Sequence, residues 1–366
     1  MRVLLWNRAD AERAPGGDTV QWRRTAAALE ALDVQPTLTT DPAPALEGFD
    51  LVHLFNLQSA EAASRVAEAA RARGLPLALS PIWWDLSEGR YLRRLRRKPS
   101  LRLLERALGR ERCLARFRAK DARRPAGRRE RAAARRLLEL ASVVLPNARA
   151  ELLALEQAFG VPLAHKAAVV PNAVSFAPEP PGEGAPPRAG VLCAGRLHPL
   201  KNQLTLIEAL VGLDAELVLA GDLSHEPYVR ECRRAAARHG RCLLTGQLDH
   251  PALVARYRAA RVHALPSFRE TPGLASLEAA ALGCAIVSTD RGSAAEYLGT
   301  DARYCDPSDP SSIRAAVEAA LADPRPVSPA RLARYTWERA AAATRAAYRF
   351  SLGEAVALPV TLDAPC

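Results

Sequence analysis

Short apolar segments bounded by turn residues alternate with stretches of helical periodicity, twice over, along this 366-residue chain. In the first half the apolar segments are Arg2 to Trp6, Pro36 to Thr39, Asp50 to Phe55, Leu75 to Ser80 and Ser142 to Leu145, with helical patterns between most of them, as at Val20 to Leu32 and Ala60 to Ala72. Strand, helix, strand repeated in this way predicts a parallel sheet covered on both faces. Such sheets bind ligands at the carboxyl ends of their strands.

Pro171, Pro178, Pro180, Pro181, Pro186 and Pro187, with Gly182 and Gly184 among them, then interrupt the pattern. A stretch of this kind holds neither a helix nor a central strand, so it reads as a linker. The alternation restarts beyond it. Strands are expected at Gly190 to Ala194, Glu216 to Ala220, Cys242 to Thr245, Val262 to Leu265 and Ala285 to Ser288. Helices are expected at Leu204 to Val211, Tyr228 to Arg238, Pro251 to Ala259, Leu274 to Leu282 and Pro310 to Leu321. The predicted fold is α/β, two doubly wound Rossmann-like domains in tandem facing across a cleft, and the length suits two separate cores.

No apolar run approaches the roughly 18 residues needed to span a bilayer. The N-terminal MRVLLWNRAD lacks a basic region before its short apolar run and reads as a first strand instead of a signal peptide. Seven cysteines, at 113, 193, 232, 242, 284, 305 and 366, show no C-x-x-C pair and no metal-ligand spacing. An odd, scattered set favours reduced thiols in the cytoplasm.

The formal net charge is +11, but it is unevenly placed. Between Arg90 and Arg136, 20 of 47 residues are Lys or Arg against four acids, giving +16 and leaving the rest of the chain at −5. Only four of the basic residues in the whole chain are lysines, Lys98, Lys120, Lys166 and Lys201, a composition expected of a GC-rich genome. The segment has helical spacing broken by Pro99, Gly109, Pro125 and Gly127, so it reads as two or three short helices inserted after the fourth strand. Three readings stand: an anionic membrane surface, nucleic acid, or a solvated face. With only Tyr91 and Phe117 available for stacking, nucleic acid fits least.

The chemistry concentrates between Val191 and Gly292. The strand VLCAG runs into Arg196 and, five residues on, Lys201, just before a helix. Backbone N–H donors at a helix N-terminus, with two fixed cations, suit an anion such as a diphosphate. Both cations also fit ordinary surface positions, though Lys201 is notable in a chain with so few lysines. Further on, Glu270 and Glu278 flank Thr271, Pro272 and Gly273, one on a loop and one a turn into the following helix. Carboxylates that accept paired hydrogen bonds suit sugar hydroxyls, and the two can embrace one elongated ligand. The alternative is a helix-dipole role for Glu270 and a solvated position for Glu278.

GRLHPLK, the PSFRE stretch with Glu278 eight residues beyond Glu270, AIVSTDRG followed by Glu296, and CDPSDPSSIRAAV together resemble retaining glycosyltransferases of the GT-B fold, family 4 (glycosyl transferases group 1). VVPNAV at 169–174 is similar to the family's domain junction, and YTWERAAAATRAAY to its closing helix. The resemblance implies an acceptor-side domain over 1–170 with the basic insertion at about 87–137, and a linker over 171–188. A nucleotide-sugar domain over 189–334, a helix over 335–350 crossing back to the first domain, and a tail over 351–366 complete it. It further implies that Arg196 and Lys201 bind the donor diphosphate, that Glu278 binds the ribose and that Glu270 faces the transferred sugar. The backbone at Gly273 and Leu274 would cap a phosphate, with Gly246 and Gln247 near the base.

In the first domain Gly16 and Gly17 resemble the family's glycine loop, which makes Gly17 a donor-binding candidate. Many members place a His after the fourth strand; here SPIWWDL stands instead, and Asp85 is the candidate for its place. His53 on DLVHLFN fits a structural role or a contribution to the cleft. The implied activity is retaining, metal-independent transfer from a nucleotide-diphosphate sugar to a glycan or lipid-linked acceptor, with no cofactor. It implies surface polysaccharide or glycolipid synthesis, in the cytoplasm or peripherally on the inner face of the plasma membrane. The alternatives are an epimerase or phosphorylase of the same fold, and an inactive relative that binds sugar nucleotide or a partner.

Overall fold

A computed structural model of the chain describes residues 1–174, 187–271, 273–354 and 357–358. Most of the Pro-rich linker, Pro272 and most of the tail lie outside the described residues. The chain divides into two compact units. One comprises Met1–Trp84, Arg118–Ala173 and the stretch from Tyr335; the other comprises Asp85–Phe117 and Val174–Arg334.

The first unit holds five parallel strands, β1 (Arg2–Trp6), β2 (Gln35–Thr39), β3 (Leu51–Phe55), β4 (Leu77–Ser80) and β5 (Val143–Val144), in the order β2-β1-β3-β4-β5. β3 and β4 are buried throughout, as strands covered on both faces require. β2 lies at the edge and is half-exposed, so Pro36 breaks no interior ladder. The helix Trp337–Ser351, which ends the described secondary structure, belongs to this unit and buries Trp337 and Tyr348 in a core shared with Val3 and Trp22. Tyr348 Oη lies 2.6 Å from His53 Nδ1, and Ser80 Oγ lies 2.9 Å from His53 Nε2. Burial pushes the His53 pKa down to about 3, so the ring is a neutral bracket between sheet and helix. It is not a cleft group.

The second unit holds six parallel strands, β6 (Ala189–Ala194), β7 (Leu217–Ala220), β8 (Cys242–Gly246), β9 (Ala260–Leu265), β10 (Ala285–Thr289) and β11 (Arg303–Cys305), in the order β11-β10-β9-β6-β7-β8. The chain builds outward from β6 in one direction and then, from β9, in the other. The crevice at the carboxyl ends of β6 and β9 is therefore a topological switch point, where open α/β sheets take their ligands.

The basic segment forms four helices, Ser87–Arg97, Pro99–Leu108, Arg110–Ala122 and Pro125–Leu140, where two or three were expected. It also divides differently from the expectation that all of it belongs to the first domain: residues up to Phe117 pack with the second unit. With few acids nearby in sequence, its arginines reach distant ones. Arg96 binds Glu208 at 3.1 Å, Arg97 binds Glu231 at 2.7 Å, and Glu88 pairs with Arg291. Tyr91, Leu92, Cys113 and Leu114 close an apolar cluster on Phe268.

Candidate functional site

At the carboxyl end of β6 the backbone is carried across the sheet by its neighbours: Gly195 N donates to Ala220 O at 2.8 Å and Leu197 N to Asp222 O at 2.9 Å. The loop then turns through Asn202, whose positive φ of 63° is held by Nδ2 bonds to Pro266 O (3.1 Å) and Pro307 O (2.7 Å). Gln203, fully buried, donates to Arg196 O at 3.0 Å. These fixed bonds leave the Arg196 side chain exposed and bring the half-buried Lys201 inward.

Lys201 Nζ meets Glu270 Oε1 at 2.7 Å. Glu270 arrives from the carboxyl end of β9 and is only 3% exposed. Its backbone is clamped by the loop after β10: Glu270 and Gly292 form a bridge, and Ser293 N donates to Glu270 O at 2.9 Å. Gly273 begins the helix Leu274–Ala281 at a φ of +85°, and a Cβ there would lie 3.2 Å from Glu270 Oε2. The carboxylate thus stands between a lysine and a helix N-terminus.

Lys201, Glu270, Gly273 and Leu274 are therefore brought together, with Arg196 on the same loop as Lys201. Glu278 lies half-buried on the helix beginning at Leu274, and Tyr257 Oη approaches its Oε2 at 3.4 Å. Burial and the Glu278 charge raise the Tyr257 phenol, which remains a donor. Gly246 and Gln247 stand at the carboxyl end of β8, the far side of the same sheet edge, with Gln247 exposed.

Two expectations fare differently. Asp85 groups with the second unit and not with the first, and its Oδ1 accepts from Ser87 N, the first residue of the inserted helix, at 2.8 Å. Gly17 is the exposed first residue of the helix Gly17–Glu30 in the first unit. The next residue, Asp18, is buried, held by Arg8 at 2.7 Å and Asn56 at 3.0 Å.

His263 was not singled out from the sequence. Fully buried on β9, it accepts from Ala194 N at Nε2 (3.2 Å) and places Nδ1 3.5 Å from Ser276 Oγ, joining the end of β6 to the helix after Gly273. Burial drives its pKa down to about 3, so it stays neutral. A polar residue in the apolar run VHAL was the only signal. His198, on the Lys201 loop, is lowered to about 4 by burial and then by the charge of Arg196.

Residues 188–323 match the family model described as Glycosyl transferases group 1. The chain is 32% identical over 179 residues to a glycogen synthase of Mycobacterium tuberculosis, covering 44% of this chain and 43% of that protein. It is 35% identical over 167 residues to a D-inositol 3-phosphate glycosyltransferase of Xylanimonas cellulosilytica, covering 42% and 40%. The chain thus spans less than half the length of these curated relatives. Among solved structures it is similar to a sucrose-phosphate synthase from Thermosynechococcus elongatus, with a TM-score of 0.74 at 17% identity over 96% of this chain and 99% of that one. Residues 188–323 of the second unit are thus similar to the glycosyl transferases group 1, in a chain whose two parallel sheets have the GT-B fold.

Proposed function

We propose that the protein transfers a sugar from a nucleotide-diphosphate donor to an acceptor hydroxyl, with retention at the anomeric carbon and without a required metal. The observation that carries this reading is the Lys201–Glu270 pair at the β6/β9 switch point. The bond from the anomeric carbon to the diphosphate oxygen breaks with its electron pair on phosphate. Arg196, Lys201 and the helix N-terminus at Leu274 take up that charge, which grows only as the bond breaks, so they act on the transition state. The sugar left behind is cationic, and the Glu270 carboxylate is complementary to it. The acceptor oxygen then bonds to the same carbon, and with retention its proton passes on the same face to the departing phosphate oxygen. Glu278 is assigned to the ribose, and Gly246 and Gln247 to the base.

The test is a panel of nucleotide sugars, with product NMR at the anomeric carbon. Transfer or slow donor hydrolysis with the donor's configuration kept is expected. An inverted product, or no turnover of any donor, overturns the reading.

We further propose a surface polysaccharide or glycolipid as product, made at the cytoplasmic face of the plasma membrane. No helix among the described residues is long and apolar enough to cross a membrane. The helix Pro99–Leu108, however, buries no residue and exposes Leu103 (64%) and Leu104 (43%) beside Arg102 and Arg106. Apolar and cationic groups on one unburied helix suit an anionic bilayer surface. Arg96 and Arg97, already paired with Glu208 and Glu231, are poorer candidates. The protein should sediment with anionic vesicles at low salt and release by 1 M, where the Debye length falls to about 3 Å. Replacing Arg102 and Arg106 with Gln should weaken the attachment. Failure of the wild type to sediment at low salt would remove the membrane from the proposal.

A further inference from the structure

The first helix of the basic segment lies flush on the donor loop. A Cβ on Gly89 would sit 2.8 Å from Leu200 Cδ2 and 3.0 Å from Phe268 Cδ2, so the helix backbone touches the residue before Lys201. Two turns later Arg96 Nη2 donates to Thr205 Oγ1 at 2.7 Å and binds Glu208. Arg93 is one turn from each, four residues after Gly89 and three before Arg96, hence on the same helix face. Its position falls over the stretch between Leu200 and Thr205, where Lys201 lies.

Arg93 is also available. It is exposed, and it has no carboxylate partner among the described residues, whereas Arg96 and Arg97 have theirs and Arg94 stacks over Phe117. The charge of Arg93 reaches the loop, since it joins those of Arg196 and Lys201 in holding His198 neutral.

Charge balance gives this residue a task. Lys201 is neutralised by Glu270, so Arg196, Lys201 and Glu270 together present one net positive charge. A sugar-linked diphosphate carries two negative charges, and the departing nucleoside diphosphate carries more. We infer that Arg93, delivered by the inserted helix, is a third cation on the donor's diphosphate and a determinant of nucleotide affinity. This rests on the donor reading above. It gives the inserted helix a function at the site, distinct from membrane attachment.

The test is calorimetric titration of nucleoside diphosphates (UDP, GDP, ADP) and their nucleosides, without vesicles. For the tightest diphosphate, Arg93→Gln should weaken binding roughly tenfold, as loss of a charge-assisted contact does. Arg93→Lys should recover part of the loss, and nucleoside binding should not change. Arg234→Gln, the same charge change at an exposed position on the helix Glu226–His239, should leave affinity as it was. If Arg196→Ala weakens diphosphate binding while Arg93→Gln stays within about twofold of wild type, Arg93 is no part of the site. A wild type that binds none of the diphosphates refutes the donor reading itself, and this inference with it.

Discussion

Glu270→Gln should lower turnover by on the order of 10²- to 10³-fold, the range for removing one preorganised charge from a water-poor site, while donor half-saturation changes little. The amide has nearly the same shape and still accepts from Lys201 Nζ, now 2.7 Å from Oε1, so the loop after β6 keeps its tether. What disappears is the negative charge, at a position 3% exposed where solvent would not have screened it. A charge complementary to a cationic sugar acts mainly in the transition state, so its loss belongs in turnover. With Glu278 on the ribose, as proposed, Glu278→Gln should behave oppositely: ribose contacts change little during reaction, and the variant should need a higher donor concentration. Steady-state kinetics on both variants separates the two roles. Unchanged turnover in Glu270→Gln would remove this carboxylate from the chemistry.

The strands that build the two sheets were legible because β1, β3, β6 and β9 are apolar runs between turn residues, the pattern that burial on two faces imposes. β11 was not. Its three residues, Arg303, Tyr304 and Cys305, pair with β10 at the sheet edge, and only Cys305 is buried, too short a pattern to mark a strand. Lys201 and Glu270 could each be picked out by motif. Their contact could not be derived from either segment, because it is made by a sheet order that places β9 against β6 across 69 residues of chain.

The inserted helices show the limit most clearly. Arginine spacing announces a helix but not what it packs on, and the partners that decide the matter, Glu208, Glu231 and Arg291, lie more than a hundred residues away. Nothing local in SPIWWDL tells that Asp85 Oδ1 accepts from Ser87 N at the start of an inserted helix, since an aspartate before a helical stretch fits a ligand contact equally well.

Gly292→Ala should be among the most damaging single changes in the second unit, although it adds one methyl group. At a φ of +99° an L side chain is strained, and the new Cβ would stand 2.2 Å from Glu270 O and 2.9 Å from Glu270 N. Both atoms are backbone, so no rotamer change relieves the overlap. Either the loop after β10 moves, breaking the bridge to Glu270 and the 2.9 Å bond from Ser293 N, or Glu270 moves away from Lys201. Overpacking costs about 1–3 kcal/mol and left-handed backbone about 1–2 kcal/mol, so a loss of roughly 2–5 kcal/mol is expected. Gly240→Ala provides the comparison in the same unit: its φ is +77°, but no atom lies within 4 Å of the added Cβ. It should therefore cost only the backbone part and leave turnover intact. Denaturant unfolding of both variants, with turnover measured on the folded fraction, separates strain from displacement of Glu270. Equal stability losses and equal turnover in the two would mean that Gly292 does not pin the glutamate.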